Sequence, residues 1–304
     1  MVEKDPFGLP SESIEDDDDK ETIEASISTR LPRADAMDSS SAEDILSSVD
    51  AKIIAFVGAY DAGKTSLVGG LYELMQVSPV GGSIFAGSRT LHALEQICHN
   101  SRTASKRDEA ASERTKYGVL QFYHLHLLAD REISLLFADR SGEQYDEIIE
   151  ESDDWLDVPE LTRADTICLV VDGRKLSNNV ERHNVKADLM TLMQVLVDRR
   201  TFARVPDLAV VLTKIDDVDQ SSRREDAYLE FDGLVHVVRN KFGRIFRKIE
   251  SFRTAASPKQ TDHSIGTGIG SLLDFWLLEA DPVPTWEPPA IKFSRAIAWL
   301  QQVE

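Results

Sequence analysis

The chain has 304 residues, 42% of them hydrophobic, with 53 acidic against 34 basic side chains for a formal net charge of −19. That length suits one large domain or two small ones, and the acidic excess argues against non-specific attraction to nucleic acid or anionic lipid. Two cysteines, Cys98 and Cys168, are too few for a disulfide framework or a structural zinc site.

The opening Met-Val-Glu-Lys-Asp carries neither a basic start nor an apolar stretch, and no apolar run approaches the roughly 18 residues that span a bilayer. A cytoplasmic protein without a membrane span is therefore expected. Residues 1–50 hold 15 acidic and 4 basic side chains, including the acidic run Glu15 to Asp19. So little apolar surface cannot offset chain entropy. Residues 1–48 are predicted to be a disordered acidic tail, either a solubilising leader or a docking tail for a basic partner.

A domain over 49–281 is expected next. Residues 52–57 read as a short buried strand, and Gly58-Ala59-Tyr60-Asp61-Ala62-Gly63-Lys64-Thr65 follows as G-x-x-x-x-G-K-T, with a helix from about Lys64 to Gln76. The spacing has a chemical reason. Gly58 and Gly63 let backbone N–H groups wrap a phosphate, Lys64 reaches the outer phosphates, and Thr65 offers a hydroxyl to Mg²⁺. The helix presents its positive end to the same anion.

Val119 to Leu128 and Glu132 to Ala138 read as a hairpin, and the second run ends in Asp139-Arg140-Ser141-Gly142. An aspartate there can hold Mg²⁺ through water, and the glycine N–H can meet a γ-phosphate. Two more buried strands are predicted at Thr166 to Val171 and Leu208 to Leu212, the latter leading into Thr213-Lys214-Ile215-Asp216. A carboxylate at 216 can accept from guanine N1–H and the 2-amino group, donors that adenine lacks. The Lys214 stem can lie on the purine face.

GAYDAGKT at 58–65, DRSG at 139–142 and TKID at 213–216 together resemble the GTPase superfamily, and the hairpin before DRSG resembles its translation-factor-related, Ras-like half. With Ser83 to Glu95 the chain is similar to the bacterial double-GTPase family, proposed to act in conflict or defence systems. The resemblance implies a three-layer α/β fold, a mostly parallel sheet with one antiparallel edge hairpin and helices on both faces. It implies GTP or GDP as ligand, Mg²⁺ as metal, slow hydrolysis acting as a switch, and an effector or regulatory protein as partner. The rival reading is an adaptor that binds GTP without hydrolysing it.

The resemblance also assigns residues. Gly58, Asp61, Ala62, Gly63, Lys64 and Ser66 would cradle phosphates, and Thr65 would bind Mg²⁺ directly. Thr90 would complete the metal shell and sense the γ-phosphate, or else it only caps a helix. Asp139 and Gly142 would form the second switch, and Glu143 or Gln144 would position water. Thr213, Lys214, Asp216 and the Ala255 N–H would bind the base side. Asp61 resembles an aspartate that some relatives use with a monovalent cation, which suggests K⁺. Thr213 in place of asparagine implies a weaker tie to the phosphate loop. Arg89 and Arg140 are the nearest candidates for an internal arginine finger, or else surface arginines paired with carboxylates.

The remaining segments point to partners. Arg102 to Arg114 is a charged insertion, Glu143 to Asp157 holds eight acidic residues and no basic one, and Arg239 to Lys248 gathers basic residues on a helix. His124 and His126 are read as strand surface. Gly266 to Gly270 leads into a last apolar helix, and residues 282–304 are predicted as a proline-rich linker and a short amphipathic helix. No specific nucleic acid is expected.

Overall fold

The computed structural model describes residues 36–105, 120–145, 158–199, 201–258 and 262–279. The predictions for residues 1–35, for 106–119 in the charged insertion, for 146–157 of the acidic run and for the linker and helix at 282–304 lie outside them.

Seven strands form one sheet. In chain order they are β1 (Ala51–Val57), β2 (Ile84–Gly87), β3 (Gln121–Leu128), β4 (Glu132–Asp139), β5 (Thr166–Asp172), β6 (Asp207–Thr213) and β7 (Ile249–Arg253). Their order across the sheet is β2-β3-β4-β1-β5-β6-β7. β4, β1, β5, β6 and β7 pair in parallel, and β3 runs against both β4 and β2. The predicted hairpin is therefore present, and β2 adds an outer strand that sequence reasoning missed. Its four residues, Ile-Phe-Ala-Gly, are too few to show alternation.

The parallel strands are buried on both faces, which explains their unbroken apolar runs. Ile53, Ala55 and Val57 of β1 face one core with Leu189, Leu192 and Leu196 of α6 (Arg182–Asp198) and with Phe231, Leu234 and Val238 of α8 (Arg224–Phe242). Ile54 and Phe56 face the other core with Leu67 and Leu71 of α2 (Lys64–Val77), Leu94 of α3 (Leu91–Ser105) and Leu272 and Trp276 of α9 (Ile269–Trp276). Helix, sheet and helix form the three layers expected. Lys52 ties β1 to the end of α9 by donating to the Trp276 carbonyl at 3.2 Å, a favourable place for a cation.

The folded part begins earlier than the sequence suggested. Residues Ser39–Ser48 form helix α1, capped by Asp38 Oδ1, which accepts from the Ser41 N–H at 2.9 Å. Met37 bridges Phe122 of β3 through two 2.9 Å backbone bonds, and Ala42 and Ile45 are buried. The boundary at residue 48 is thus corrected. The composition of the first 50 residues is dominated by the acidic run, which hid a short amphipathic stretch at its end.

Candidate functional site

Five parallel strands end on one edge of the sheet, and the loops that leave them converge there. After β1 comes the phosphate loop. A Cβ on Gly58 would lie 2.6 Å from the Val170 carbonyl of β5, so only glycine lets the loop leave the sheet this closely. Gly63 is left-handed at φ 89 and caps α2. Lys64 is buried, and its Nζ donates to the carbonyls of Gly58 at 2.9 Å and Ala59 at 3.0 Å. The ammonium thus sits inside the curl of the loop. Ala62 is buried below it, and Ser66 lies half-buried on the first turn of α2.

β4 ends beside it. The Thr65 hydroxyl donates to Asp139 Oδ2 at 2.5 Å, and Asp139 is fully buried. Two hard oxygen donors held together next to an anion cradle fit the donor chemistry of Mg²⁺. Thr90 does not join them. Its hydroxyl accepts from the His124 N–H at 2.9 Å and its own N–H donates to Ser88 Oγ at 2.8 Å. His124 stands three residues from Gln121, the partner of Asp139, so Thr90 is anchored about 10 Å along the strand from the metal-type pair. The Thr90 carbonyl accepts the Leu94 N–H at 3.1 Å at the start of α3, while its hydroxyl is turned to β3 and does not cap that helix.

His124 is not surface either. Burial lowers its pKa to about 4, so the ring is neutral at neutral pH. Its Nδ1 accepts the Arg89 N–H at 3.0 Å, leaving Nε2 to donate to Ser134 Oγ at 3.1 Å, and the Ser134 hydroxyl in turn lies 3.2 Å from His126 Nδ1. The two histidines therefore anchor the segment that carries Arg89 and Thr90.

The segment after Asp139 is packed hard against the phosphate loop. A Cβ on Gly142 would fall 2.2 Å from the Tyr60 nitrogen. Arg140 is no finger. It is 5% exposed and makes a two-pronged pair with the 1% exposed Glu160, at 2.6 and 3.0 Å, from helix α4 (Pro159–Thr162). Glu143 faces solvent, whereas Gln144 is buried and its Oε1 has no hydrogen-bond partner among the described residues. Tyr145 donates to the Phe56 carbonyl at 2.9 Å, and burial pushes its phenol well up, so it stays a donor.

The residues predicted for the base side stand at the ends of β6 and β7. The Thr213 hydroxyl lies 2.7 Å from the Ala62 carbonyl and 3.1 Å from that of Val171. The tie to the phosphate loop is therefore kept by threonine, against the expectation that it weakens. Lys214 is left-handed at φ 54, and its Nζ reaches Asp61 O at 2.5 Å, Asp61 Oδ2 at 3.1 Å and Asp172 Oδ2 at 2.9 Å. Asp216, 6% exposed, stands in the first turn of α7 (Ile215–Gln220). The Ala255 N–H is already given to the Thr267 carbonyl at 3.0 Å, so it is not the free donor the sequence assigned.

Several participants were missed. Asp172 ends β5 as Asp139 ends β4, a signal that was available. It also caps α5 (Gly173–Leu176), which places Arg174 Nη2 3.1 Å from Asp61 Oδ2. The Asp61 carboxylate thus lies against two protein cations, Lys214 and Arg174. His263 lies 2.8 Å from Asp219 Oδ2, and Tyr228 of α8 donates to Asp219 Oδ1 at 2.8 Å, so the loop after β7 is fastened to the helix that bears Asp216. The basic cluster near residue 240 is engaged by acids: Arg239 and Lys248 with Glu250, and Arg247 with Asp207. No described helix is long and apolar enough to cross a membrane.

One family model, described as Double-GTPase 2, matches residues 52–277. The matched span runs from β1 through α9 and includes every loop of the site. No curated protein matches the chain.

Proposed function

The chain belongs to the Double-GTPase 2 family, and on that premise we propose that it is a Mg²⁺-dependent GTP-binding switch that hydrolyses GTP slowly to GDP and phosphate, for a partner protein in the cell. The observation that carries this reading is the convergence of Lys64, the Thr65–Asp139 pair and Asp216 on one sheet edge, with Thr213 bonded across to the phosphate loop.

Gly58, Ala62, Gly63 and Ser66 shape the backbone cradle, and Lys64 exchanges its two carbonyl partners for phosphate oxygens. Thr65 and Asp139 hold the metal. When bound, Mg²⁺ supplies a Lewis acid that draws charge from the phosphates. Gly142 offers its N–H beside the loop. Asp216 and the Lys214 stem take the base, with Ala256 or Ser257 supplying an N–H in place of Ala255. Thr90 is reserved for a nucleotide-ordered rearrangement of the segment before α3. Among the described residues Glu143 faces solvent and Gln144 is buried, which supports slow intrinsic turnover.

The binding test is titration of GTP and ATP into the protein with Mg²⁺ and with chelator. GTP is expected to bind at least about a hundredfold tighter than ATP, and Thr65→Ala is expected to remove the benefit of Mg²⁺. Equal affinity for the two nucleotides would sink the guanine site. A second arm concerns the switch. Gly142→Ala cannot pack on Tyr60 and is expected to slow single-turnover hydrolysis by about a hundredfold while GDP binding changes little. The exposed Glu143 favours the adaptor reading as the alternative. Absence of phosphate release from wild type in single-turnover assays, with and without a cognate partner, would select it.

A further inference from the structure

The phosphate loop contains a carboxylate that ought to repel its ligand. Asp61 lies within the curl of that loop, and its backbone is left-handed at φ 59, a region that aspartate enters more readily than most residues. Its Oδ2 is contacted by Lys214 Nζ at 3.1 Å and by Arg174 Nη2 at 3.1 Å. Lys214 cannot neutralise it alone, because the same ammonium lies 2.9 Å from the buried Asp172 carboxylate. Two carboxylates and two cations balance only when Arg174 is counted. Without it, one negative charge would be left beside the site of a polyanion.

The placement of Arg174 depends on its neighbours. Gly173 passes so close to the end of β6 that a Cβ would meet the Thr213 carbonyl at 2.4 Å. Asp172 accepts the Lys175 N–H at 3.1 Å and fixes the turn. Lys175 itself points to the Tyr60 carbonyl at 3.5 Å. The stretch after β5 therefore lies against the outside of the phosphate loop.

We propose that Arg174 is a positioning residue for nucleotide binding: it neutralises and holds the Asp61 carboxylate, so that the phosphate loop accepts a triphosphate. This rests on the proposed GTP site. Arg174 need not touch the nucleotide. It acts through the carboxylate, and its guanidinium holds a geometry that a lysine reproduces only in charge.

The test is a double-mutant cycle on the full chain, reading GTP affinity and GDP release rate at low and high salt. Arg174→Ala is expected to weaken GTP binding and speed GDP release by about fivefold at low ionic strength, and by less at high salt. Arg174→Lys is expected to recover part of the loss. The decisive arm is Asp61→Asn. In that background Arg174→Ala should change affinity by less than about twofold, because the charge it served is gone. An equal loss in both backgrounds, or no loss in either, would overturn the proposal while leaving the GTP site intact. Failure of wild type to bind GTP would instead overturn the site and this inference with it. Thermal unfolding of each variant separates misfolding from lost neutralisation, since a half-exposed pair contributes little to stability.

Discussion

Asp216→Asn is expected to lower GTP affinity by at least about a hundredfold and to give the protein measurable affinity for xanthosine triphosphate. Asp216 is 6% exposed at the start of α7. Its carboxylate can only accept, and guanine offers it two donors on one edge, N1–H and the 2-amino group. An asparagine keeps one acceptor and turns the other atom into a donor, which then faces the 2-amino group of guanine. Xanthine has a carbonyl at that position and matches the amide. The surroundings should hold the new side chain in place, because Ile215 donates its N–H to the Thr254 carbonyl at 3.3 Å and Asp219, one turn on, is fastened to His263 and Tyr228. Competition binding with the guanine, xanthine and adenine triphosphates reads the exchange. Unchanged GTP binding would mean that Asp216 does not read the base.

The same geometry shows why some of the site was legible before the fold and some was not. G-x-x-x-x-G-K-T, D-x-x-G and T-K-x-D are local. Each is a strand end followed by residues whose roles depend on a few bonds of chain, so spacing alone carries them. Thr90 depends on a contact with His124, 34 positions away. The Arg174–Asp61 contact spans 113 positions and the bond from Thr213 to Ala62 spans 151. None of these leaves a periodic or compositional mark. Ala255 failed for a subtler reason. Ala255 stands just beyond the end of β7, but which N–H stays available there is decided by the Ala255–Thr267 bridge. Composition misled only where an average was taken across a boundary, at α1.

Glu160→Ala should cost about 3 to 5 kcal/mol, enough to lower the unfolding temperature by about 10 °C. The pair it breaks is enclosed: Arg140 and Glu160 are 5% and 1% exposed, joined by bonds of 2.6 and 3.0 Å. Truncation removes the carboxylate that compensates a guanidinium in the interior, and the cost is mostly that lost compensation. Replacing both, as Arg140→Met with Glu160→Met, should recover most of the stability, because the interior no longer has to desolvate either ion. Function should part from stability at this point. Arg140 lies between Asp139, which pairs with Thr65, and Gly142, which abuts Tyr60. The pair therefore anchors the segment from Asp139 to Gly142 to α4, while Asp139 is held from the other side by Thr65. A double variant that melts like wild type yet hydrolyses GTP more slowly would assign the pair to holding that segment in register. Equal activity in both would reduce it to a core contact, and the register of Gly142 would then rest on Tyr145 and its bond to the Phe56 carbonyl.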